Sequence, residues 1–292
     1  MIKIDFEEQT YFIKQLLKLD NISLLKRVNY IKSFISKFFY NYKLKKRDDY
    51  IYFYSDYLDK KIISKIIASK YTIVTSNWSK KNIINNINIL ESKVKVIYPI
   101  IKKPILNINN SKKTIYNKYN IKPNDKLLFF TSTHLTKNDM QDIFKIVSQI
   151  QNINYKLLIL VNKNQLIAFK FQLRKYKFDK RVIFSDNFDD IDCILEACDI
   201  FIYLTSLNRF QTIVLKAMLM KCVVFISQNS SCSEILDTFS IMQKPYDKNT
   251  PFKIDALLQN EEELINIKNS NHKKALCINS DVNIQDFHSM FS

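Results

Sequence analysis

Residues 181–206 read RVIFSDNFDDIDCILEACDIFIYLTS. A short apolar run is followed by a polar turn, by apolar residues at helical spacing over 189–197, and by a second apolar run over 199–205. Continuous apolar runs of this length are typical of strands buried on both faces. The order strand, helix, strand therefore predicts two parallel strands joined by a crossover helix.

The same alternation continues on both sides of this stretch. Further strands are predicted at 126–132, 155–161 and 222–227, and helices near 138–151, 164–177 and 211–220. Apolar strands that alternate with amphipathic helices predict an α/β fold, with helices covering both faces of a Rossmann-like parallel sheet. Ligands of such a sheet bind at the carboxyl ends of its strands, so we expect the functional residues there.

The N-terminal part of the chain has a different pattern. Over residues 1–70, apolar residues recur mostly at three- and four-residue spacing, which predicts a largely helical segment without an opening strand. Two short strands follow at 71–76 and 94–99, and then a connection rich in Lys and Asn. We predict a shortened, largely helical domain over 1–104, a Rossmann-like domain over 105–250 and a helical extension over 251–292.

The composition limits the class of protein. With 47% hydrophobic and 13% aromatic residues, the chain is not an intrinsically disordered protein. It contains no apolar run of membrane-spanning length, and its first ten residues lack the pattern of a signal peptide. The five cysteines include no C-x-x-C pair, which favours reduced thiols and a cytoplasmic location.

The net charge of +17 leaves two interpretations open. A basic protein can bind nucleic acid or an anionic membrane. Heavy use of Lys, Asn, Ile, Tyr and Phe, which have AT-rich codons, also produces such a charge. Because the lysines are spread along the chain rather than clustered, the second interpretation is favoured and nucleic acid is not the expected partner.

Glycine is absent from all 292 residues. The chain therefore has no Walker loop, no G-x-G-x-x-G fingerprint and no nucleophile elbow. Backbone positions that require positive φ must fall to other residues, and we expect Asn and Asp to fill them. No cluster of His, Cys and carboxylates has metal-ligand spacing, so no metal site is predicted.

Four segments in sequence order resemble the motifs of one enzyme family. They are YNIKPNDKLLFFTSTHLTKND (119–139), the stretch 181–206, NRFQTIVLKAM (208–218) and CVVFISQNSSCSEILD (222–237). Together they resemble the donor-binding domain of group 1 retaining glycosyltransferases, called family 4, which have the GT-B architecture. The resemblance covers about two-thirds of the chain.

The resemblance implies a set of residues that bind a nucleoside diphosphate sugar, which is a substrate and not a cofactor. Transfer of the sugar expels a diphosphate, and positive charge must already point at it. Lys137 stands at the family's phosphate-binding Lys, and His134 stands where the family has Arg. Lys137 could hold the diphosphate, or be one more solvated lysine. His134 could assist it, or be an ordinary loop residue.

The family's two motif glutamates are replaced here. Asn208 stands at the Glu that accepts hydrogen bonds from the donor sugar, and Lys216 stands at the Glu that binds the ribose. Asn208 can still accept such a bond. Asn208 and Lys137 are the two candidate catalytic residues. Lys216 cannot accept a hydrogen bond, so it either grips a phosphate or faces water.

Other predicted donor-binding residues lie beside these positions: Arg209, Phe210, Gln211, Thr212, Ser230, Ser231 and Glu234. Gln211 and the pair Ser230–Ser231 replace glycines that let backbone N–H groups approach the phosphates, and their Cβ atoms should crowd the ligand. Glu234 is expected to orient a helix start more than to touch the donor.

The resemblance also implies the reaction. It implies transfer of a hexose, with retention, to a glycan or lipid-linked acceptor, without a metal. The forms SNWS and SQNSSCSEI are nearest to the GDP-mannose-dependent mannosyltransferases that act on dolichol-linked oligosaccharide, which favours mannose. Two alternatives stay open: an inactive glycosyltransferase-like scaffold or partner subunit, and a basic nucleic-acid-binding protein.

The acceptor half departs most from the family. Only about 75 residues precede the piece that contains Trp78, the single tryptophan, for which packing is favoured over acceptor stacking. Residues 24–46 are basic and interleaved with Phe and Tyr. They could lie on the cytosolic face of an anionic membrane, or pack against the sheet.

Overall fold

The computed structural model describes residues 2–25, 49–102, 107–132, 135–176, 179–205, 208–243, 247–279 and 282–289. The chain divides into two compact units. The first unit contains Met1–Lys102, Asn208–Phe210 and Ile278–Ser292, and the second contains Lys103–Leu207 and Gln211–Cys277.

The first unit is built on a five-stranded parallel sheet. Its strands are β1 (Ile2–Phe6), β2 (Ile22–Leu24), β3 (Tyr50–Phe53), β4 (Tyr71–Val74) and β5 (Val94–Val96). Their order is β2-β1-β3-β4-β5, and every neighbouring pair is parallel. This order changes direction between β1 and β3, which creates a crevice at their carboxyl ends.

Helices α1 (Tyr11–Leu16), α2 (Lys60–Ala68) and α3 (Asn77–Asn86) belong to this unit. Asp59 caps α2 by accepting the Ile62 amide at 2.7 Å, and Ser76 caps α3 by accepting the Ser79 amide at 3.0 Å. These caps satisfy backbone donors that helix starts leave unpaired. Two buried clusters form the core, one around Ile4, Phe12 and Ile51, the other around Tyr52, Ile66 and Val74.

The predicted absence of an opening strand is wrong, and the described residues among the first 70 form three strands as well as helices α1 and α2. Residues 2–6 alternate apolar and polar side chains, which is the period of a strand, and they form β1. The Tyr-rich run of β3 is buried at all four positions, where spacing alone cannot separate a strand from a buried helix. Residues 26–48, which include most of the basic stretch 24–46, lie outside the described residues.

The second unit contains the predicted Rossmann-like sheet. Its strands are β6 (Lys126–Phe130), β7 (Tyr155–Leu160), β8 (Val182–Ser185), β9 (Ile200–Tyr203), β10 (Val223–Ser227) and β11 (Ile241–Met242). They are parallel, in the order β11-β10-β9-β6-β7-β8. This is the strand order of a dinucleotide-binding fold, and its switch point lies between β6 and β9. The predicted strands and their alternation with helices are confirmed.

Helices cover this sheet and complete the chain. They are α4 (Ile108–Lys118), α5 (Lys137–Ser148), α6 (Leu166–Leu173), α7 (Ile191–Ala197), α8 (Thr212–Leu219), α9 (Thr250–Gln259), α10 (Glu261–Ile278) and α11 (Val282–Ser289). The last of them belongs to the first unit, where Phe287 is fully buried and stacks on Phe53.

Three described residues have the left-handed backbone conformation: Asp56 (φ 62°), Asn120 (φ 51°) and Lys221 (φ 61°). Asp and Asn tolerate this conformation better than other residues with a Cβ, so the expectation from the missing glycines is confirmed at the first two. Lys221 departs from it. This residue follows the end of α8, the position where glycine is most common in proteins.

Candidate functional site

The switch point of the second sheet brings two helix starts to one edge. β6 and β9 are adjacent and parallel, with Leu128 opposite Ile200. Chain segments that follow two adjacent parallel strands leave the sheet at the same edge. The segment after β6 leads into α5, and the segment after β9 leads into α8. The amino ends of helices carry partial positive charge and attract phosphate groups.

The start of α5 is fixed by its own side chains. Thr136 accepts the amide of Asp139 at 3.2 Å, and the Asp139 carboxylate accepts the amide of Thr136 at 2.8 Å. This reciprocal capping orients the first turn. Lys137 is the first residue of α5, and its exposed side chain is available to a ligand. His134 lies outside the described residues.

The start of α8 has no comparable side-chain cap. Gln211 precedes the helix, and its side chain makes no hydrogen bond to the first turn. Its Nε2 is buried and has no hydrogen-bond partner in the described part of the chain. Thr212, the first residue of α8, is exposed. An anion at this helix start would therefore meet backbone donors that no side chain already satisfies.

The serines that replace the glycine pair lie next to Gln211. Ser230 is buried, and its hydroxyl accepts the amide of Cys232 at 3.2 Å. The thiol of Cys232 in turn accepts the backbone amide of Gln211 at 3.0 Å. The structure therefore brings Gln211, Ser230 and the buried Ser231 together at the carboxyl end of β10. Glu234 lies on the following turn and is exposed.

Lys216 is paired with an acid of the neighbouring helix. Its ammonium forms a salt bridge with Asp192 of α7. The side chain of Lys216 is 29% exposed and that of Asp192 is 56% exposed, so the pair lies at the surface. The side chain of Lys216 thus points toward α7. The sequence-based interpretations, that Lys216 grips a phosphate or faces water, did not include this salt bridge.

The motif residues 208–210 belong to the first unit. There, Arg209 lies 3.4 Å from the carboxylate of Glu8, just after β1. The ring of Phe210 lies 5.9 Å from that of Tyr98. Asn208 is exposed. The candidate sugar-binding residue Asn208 thus belongs to the first unit, next in sequence to Arg209 and its Glu8 contact.

Sequence reasoning missed Asp56, the most perturbed carboxyl of this edge. Asp56 follows β3 and accepts hydrogen bonds from the Ser79 hydroxyl and the Phe210 amide. Burial raises its pKa to about 6, although the Ser79 bond and the charge of Arg209 act in the opposite direction. A Ser-Asp pair directly after a buried strand was the signal in the sequence. Perturbed carboxyls of this kind cluster at functional sites.

An ion cluster of two acids and one lysine lies at β1, and sequence reasoning missed it as well. The ammonium of Lys65 lies 2.9 Å from Asp5 and 2.6 Å from Glu7. Lys65 and Asp5 are both buried, and the ring of Tyr52 lies 5.2 Å from the ammonium. Because the hydrogen bonds to Glu7 and Asp5 outweigh the effect of burial, the pKa of Lys65 is raised.

The part of the chain that the structure describes has no group of three or more His, Cys, Asp or Glu placed to hold a metal ion. None of the described helices combines the length and apolar character that a bilayer span requires.

The sequence profile of the family described as "Glycosyl transferases group 1" matches residues 111–274, more than half of the chain. The chain belongs to the group 1 glycosyl transferases. The match includes α5, α8 and the Ser230–Ser231 pair, so the switch point lies within it. No curated protein matches this group 1 glycosyl transferase.

Solved structures share its fold. A glycosyltransferase from Rickettsia africae superimposes with a TM-score of 0.73 at 13% identity, covering 99% of this chain and 89% of the other. HepE of Anabaena, solved with UDP and glucose, gives 0.66 at 14% identity, with 82% and 71% covered. WaaG, a glycosyltransferase of lipopolysaccharide biosynthesis, gives 0.62 at 9% identity, with 94% and 95% covered. The chain thus has the two parallel-sheet, Rossmann-like domains of the GT-B architecture.

Proposed function

We propose that this group 1 glycosyl transferase binds a nucleoside diphosphate hexose at the switch point of its second sheet. It transfers the hexose, with retention, to a hydroxyl of a glycan or lipid-linked acceptor. The observation that carries the proposal is the pair of helix starts, α5 and α8, at the carboxyl ends of the adjacent strands β6 and β9. Two helix starts at one edge favour a ligand with more than one phosphate charge.

Lys137 supplies a side-chain positive charge in addition to the backbone donors of the two helix starts. In the reaction, the bond between the sugar C1 and the diphosphate oxygen breaks, the acceptor oxygen bonds to C1, and the acceptor's hydroxyl proton passes to the departing diphosphate. Negative charge grows on the departing diphosphate. The ammonium of Lys137, with the backbone donors at the two helix starts, stabilises that charge. HepE of Anabaena, which shares the fold, was solved with UDP and glucose and supports a ligand of this class.

Asn208 accepts a hydrogen bond from a sugar hydroxyl in this proposal. An amide acceptor forms a bond roughly half as strong as a carboxylate does, so we expect slow turnover. The sugar is proposed to be mannose, on the motif forms that resemble the GDP-mannose enzymes. Nothing in the geometry of Gln211, Ser230 and Ser231 itself selects a sugar or a base.

The test is a thermal-shift and calorimetric screen of the full chain against UDP- and GDP-linked hexoses. A ligand at about one hundred times its dissociation constant adds about 2.7 kcal/mol to the free energy of unfolding. GDP-mannose is expected to shift the melting temperature more than UDP-glucose. A larger shift with UDP-glucose would reject mannose but keep the donor class, and no shift with any donor would reject the site.

A second candidate function is that of a non-catalytic partner subunit. The salt bridge of Lys216 with Asp192 favours it, because it occupies the position at which the family has a ribose-binding carboxylate. This alternative predicts no binding of any nucleotide sugar.

A further inference from the structure

Helix α6 exposes apolar side chains to water on its outer face. Ile167 is 81% exposed and Phe171, one turn later, is 65% exposed. Ala168 lies between them and is also exposed. The inner face of α6 is apolar too, because Phe169 and Leu173 are buried in the core of the second unit. A surface helix normally turns polar residues outward. The exposed apolar face of α6 therefore indicates a binding surface for another molecule.

Positive charge surrounds this apolar face. Residues 162–178 contain five Lys or Arg and no Asp or Glu. Of these five, Lys170, Arg174 and Lys175 are exposed on or just after α6, and Lys163 is exposed just before it. The lysines of the chain as a whole are dispersed, but this segment concentrates them around exposed Ile and Phe.

A groove between α5 and α6 adjoins this face. It has a volume of about 650 Å³, and its apolar lining includes Ala168, Phe169 and Tyr176. Lys137, Lys145 and Lys175 line its rim. The acids of α5 are Asp139, which caps the helix start, and Asp142, which lies 3.3 Å from the ammonium of Lys145.

Gln172 also lines the groove. The residue is only 8% exposed, and its Nε2 is buried without a hydrogen-bond partner among the residues that the structure describes. A buried amide that lacks an acceptor is costly to keep. A ligand group that carries oxygen atoms would suit this groove, because an oxygen could accept a hydrogen bond from Gln172 Nε2.

We propose that the outer face of α6, with the α5–α6 groove beside it, is a docking surface for an anionic lipid bilayer. Ile167 and Phe171 enter the boundary between headgroups and acyl chains, while Lys170, Arg174 and Lys175 contact lipid phosphates. Apolar residues ringed by Lys and Arg match the two layers of an anionic membrane surface. This surface lies in the second unit and is distinct from residues 24–46.

Vesicle co-sedimentation of the full chain tests the proposal. The protein should sediment with phosphatidylcholine vesicles that contain about one-third phosphatidylglycerol, and far less with pure phosphatidylcholine, because each basic residue near an anionic surface adds to binding. Binding should weaken with added salt, which screens this attraction. Failure to sediment with the anionic vesicles at low salt would overturn the proposal.

Matched variants separate this face from the general charge of the chain. The double variant Ile167→Ser and Phe171→Ser should lower the vesicle partition coefficient by about tenfold or more, because it removes the apolar contact. Phe252→Ser is the control, since Phe252 is 63% exposed on α9. Likewise Lys170→Glu should release the protein from vesicles, whereas Lys273→Glu, an equal charge change on α10, should not. Equal effects within either pair would overturn the proposal.

A fluorescence probe reports insertion directly. Because Trp78 is the only tryptophan, Trp78→Phe gives a background for Phe171→Trp. The Trp emission of this variant should shift to shorter wavelength with anionic vesicles, and that of a Phe252→Trp control should not. No shift at position 171, or binding of a DNA oligonucleotide without vesicle binding, would assign the basic face to another partner. These measurements use no sugar nucleotide, so their outcome is independent of the proposed transferase activity.

Discussion

Lys216 of α8 is salt-bridged to Asp192 of α7, and the sequence resemblance aligns Lys216 with a ribose-binding glutamate. The pair neutralises the ammonium at the surface and turns it toward a neighbouring helix. Replacement of the glutamate is therefore accompanied by an acid, Asp192, that accommodates the new charge. Two roles for Lys216 can therefore be tested against each other: binding a phosphate of the donor, or pairing with Asp192 at the surface.

We predict that the double variant Lys216→Glu and Asp192→Asn binds the donor nucleotide more tightly than the parent chain. A carboxylate accepts ribose hydroxyls, which Lys cannot do, and hydrogen bonds to charged groups contribute about 1.5–3 kcal/mol. Titration calorimetry with the nucleoside diphosphate measures the change. If Lys216 instead grips a phosphate, the affinity falls, and Lys216→Ala alone weakens binding as well.

Lys137→Ala should lower kcat roughly 100-fold. Removal of one preorganised positive group from a developing anion typically has an effect of about this size. The comparison is Lys145→Ala, two turns further along α5, which should change kcat little. Equal losses for the two variants would show that α5 contributes general positive charge and that Lys137 has no special position.

The partly buried carboxyl of Asp56 predicts an unusual dependence of stability on pH. Its pKa is raised from 3.8 to about 6, so the folded state binds the proton more tightly than the unfolded state. The stabilisation is complete below about pH 4 and is lost as the pH rises through about 6. Asp56→Asn should therefore stabilise the protein near pH 7.5, by up to about 3 kcal/mol, and have little effect near pH 4.

Urea unfolding of the parent and Asp56→Asn chains at several pH values checks this. The difference between their free energies of unfolding should grow between about pH 4 and 6 and stay constant above about pH 7. Glu262→Gln, which changes an exposed carboxyl on α10, should not produce this profile. A constant difference across the whole range would contradict the raised pKa.

Lys65→Met should destabilise the first unit by about 3–5 kcal/mol, because it leaves the buried carboxylate of Asp5 without its partner. The exposed Lys61→Met on the same helix is expected to change stability by less than about 0.5 kcal/mol. Adding Asp5→Asn to Lys65→Met should recover much of the loss. Urea midpoints report all three variants, and an unchanged midpoint for Lys65→Met would show that the ion group is dispensable.

Lys221→Gly should stabilise the protein by about 1 kcal/mol. The residue has φ 61° after the end of α8, and glycine adopts this conformation without the steric penalty of a Cβ. Lys113→Gly, inside α4, provides the opposite control and should destabilise by about 1 kcal/mol. Destabilisation at both positions would mean that the Lys221 side chain itself contributes to folding.

The second sheet was predictable because its strands β6, β7, β9 and β10 are buried on both faces and are separated by helices with clear apolar spacing. Each such strand, for example Val223–Ser227, is a continuous apolar run bounded by polar residues, which few other structures produce. Of the first sheet, β4 and β5 were predicted, as the strands at 71–76 and 94–99, but β1, β2 and β3 were not. Its strand β2 has only three residues, and β3 joins a helical pattern through the Tyr-rich run 52–54 without a break.

The candidate site was predictable only as positions along the chain. Spacing in the motif indicated Gln211, Ser230 and Ser231, and the structure brings these three together. The partner of Lys216 was not predictable, because Asp192 lies 24 residues away on another helix. The same holds for Asp56, whose raised pKa comes from burial and from neighbours contributed by other segments. Such long-range contacts have no signature in local spacing.

The left-handed backbone at Asp56, Asn120 and Lys221 also has a consequence for the denatured protein. A chain in which every residue has a side chain samples fewer backbone conformations when unfolded. Each glycine replaced by alanine at a compatible position stabilises a protein by about 0.4–1 kcal/mol through this effect alone. The chain without glycine therefore loses less backbone entropy on folding. In the free energy of folding, this gain offsets the steric strain at the three left-handed residues.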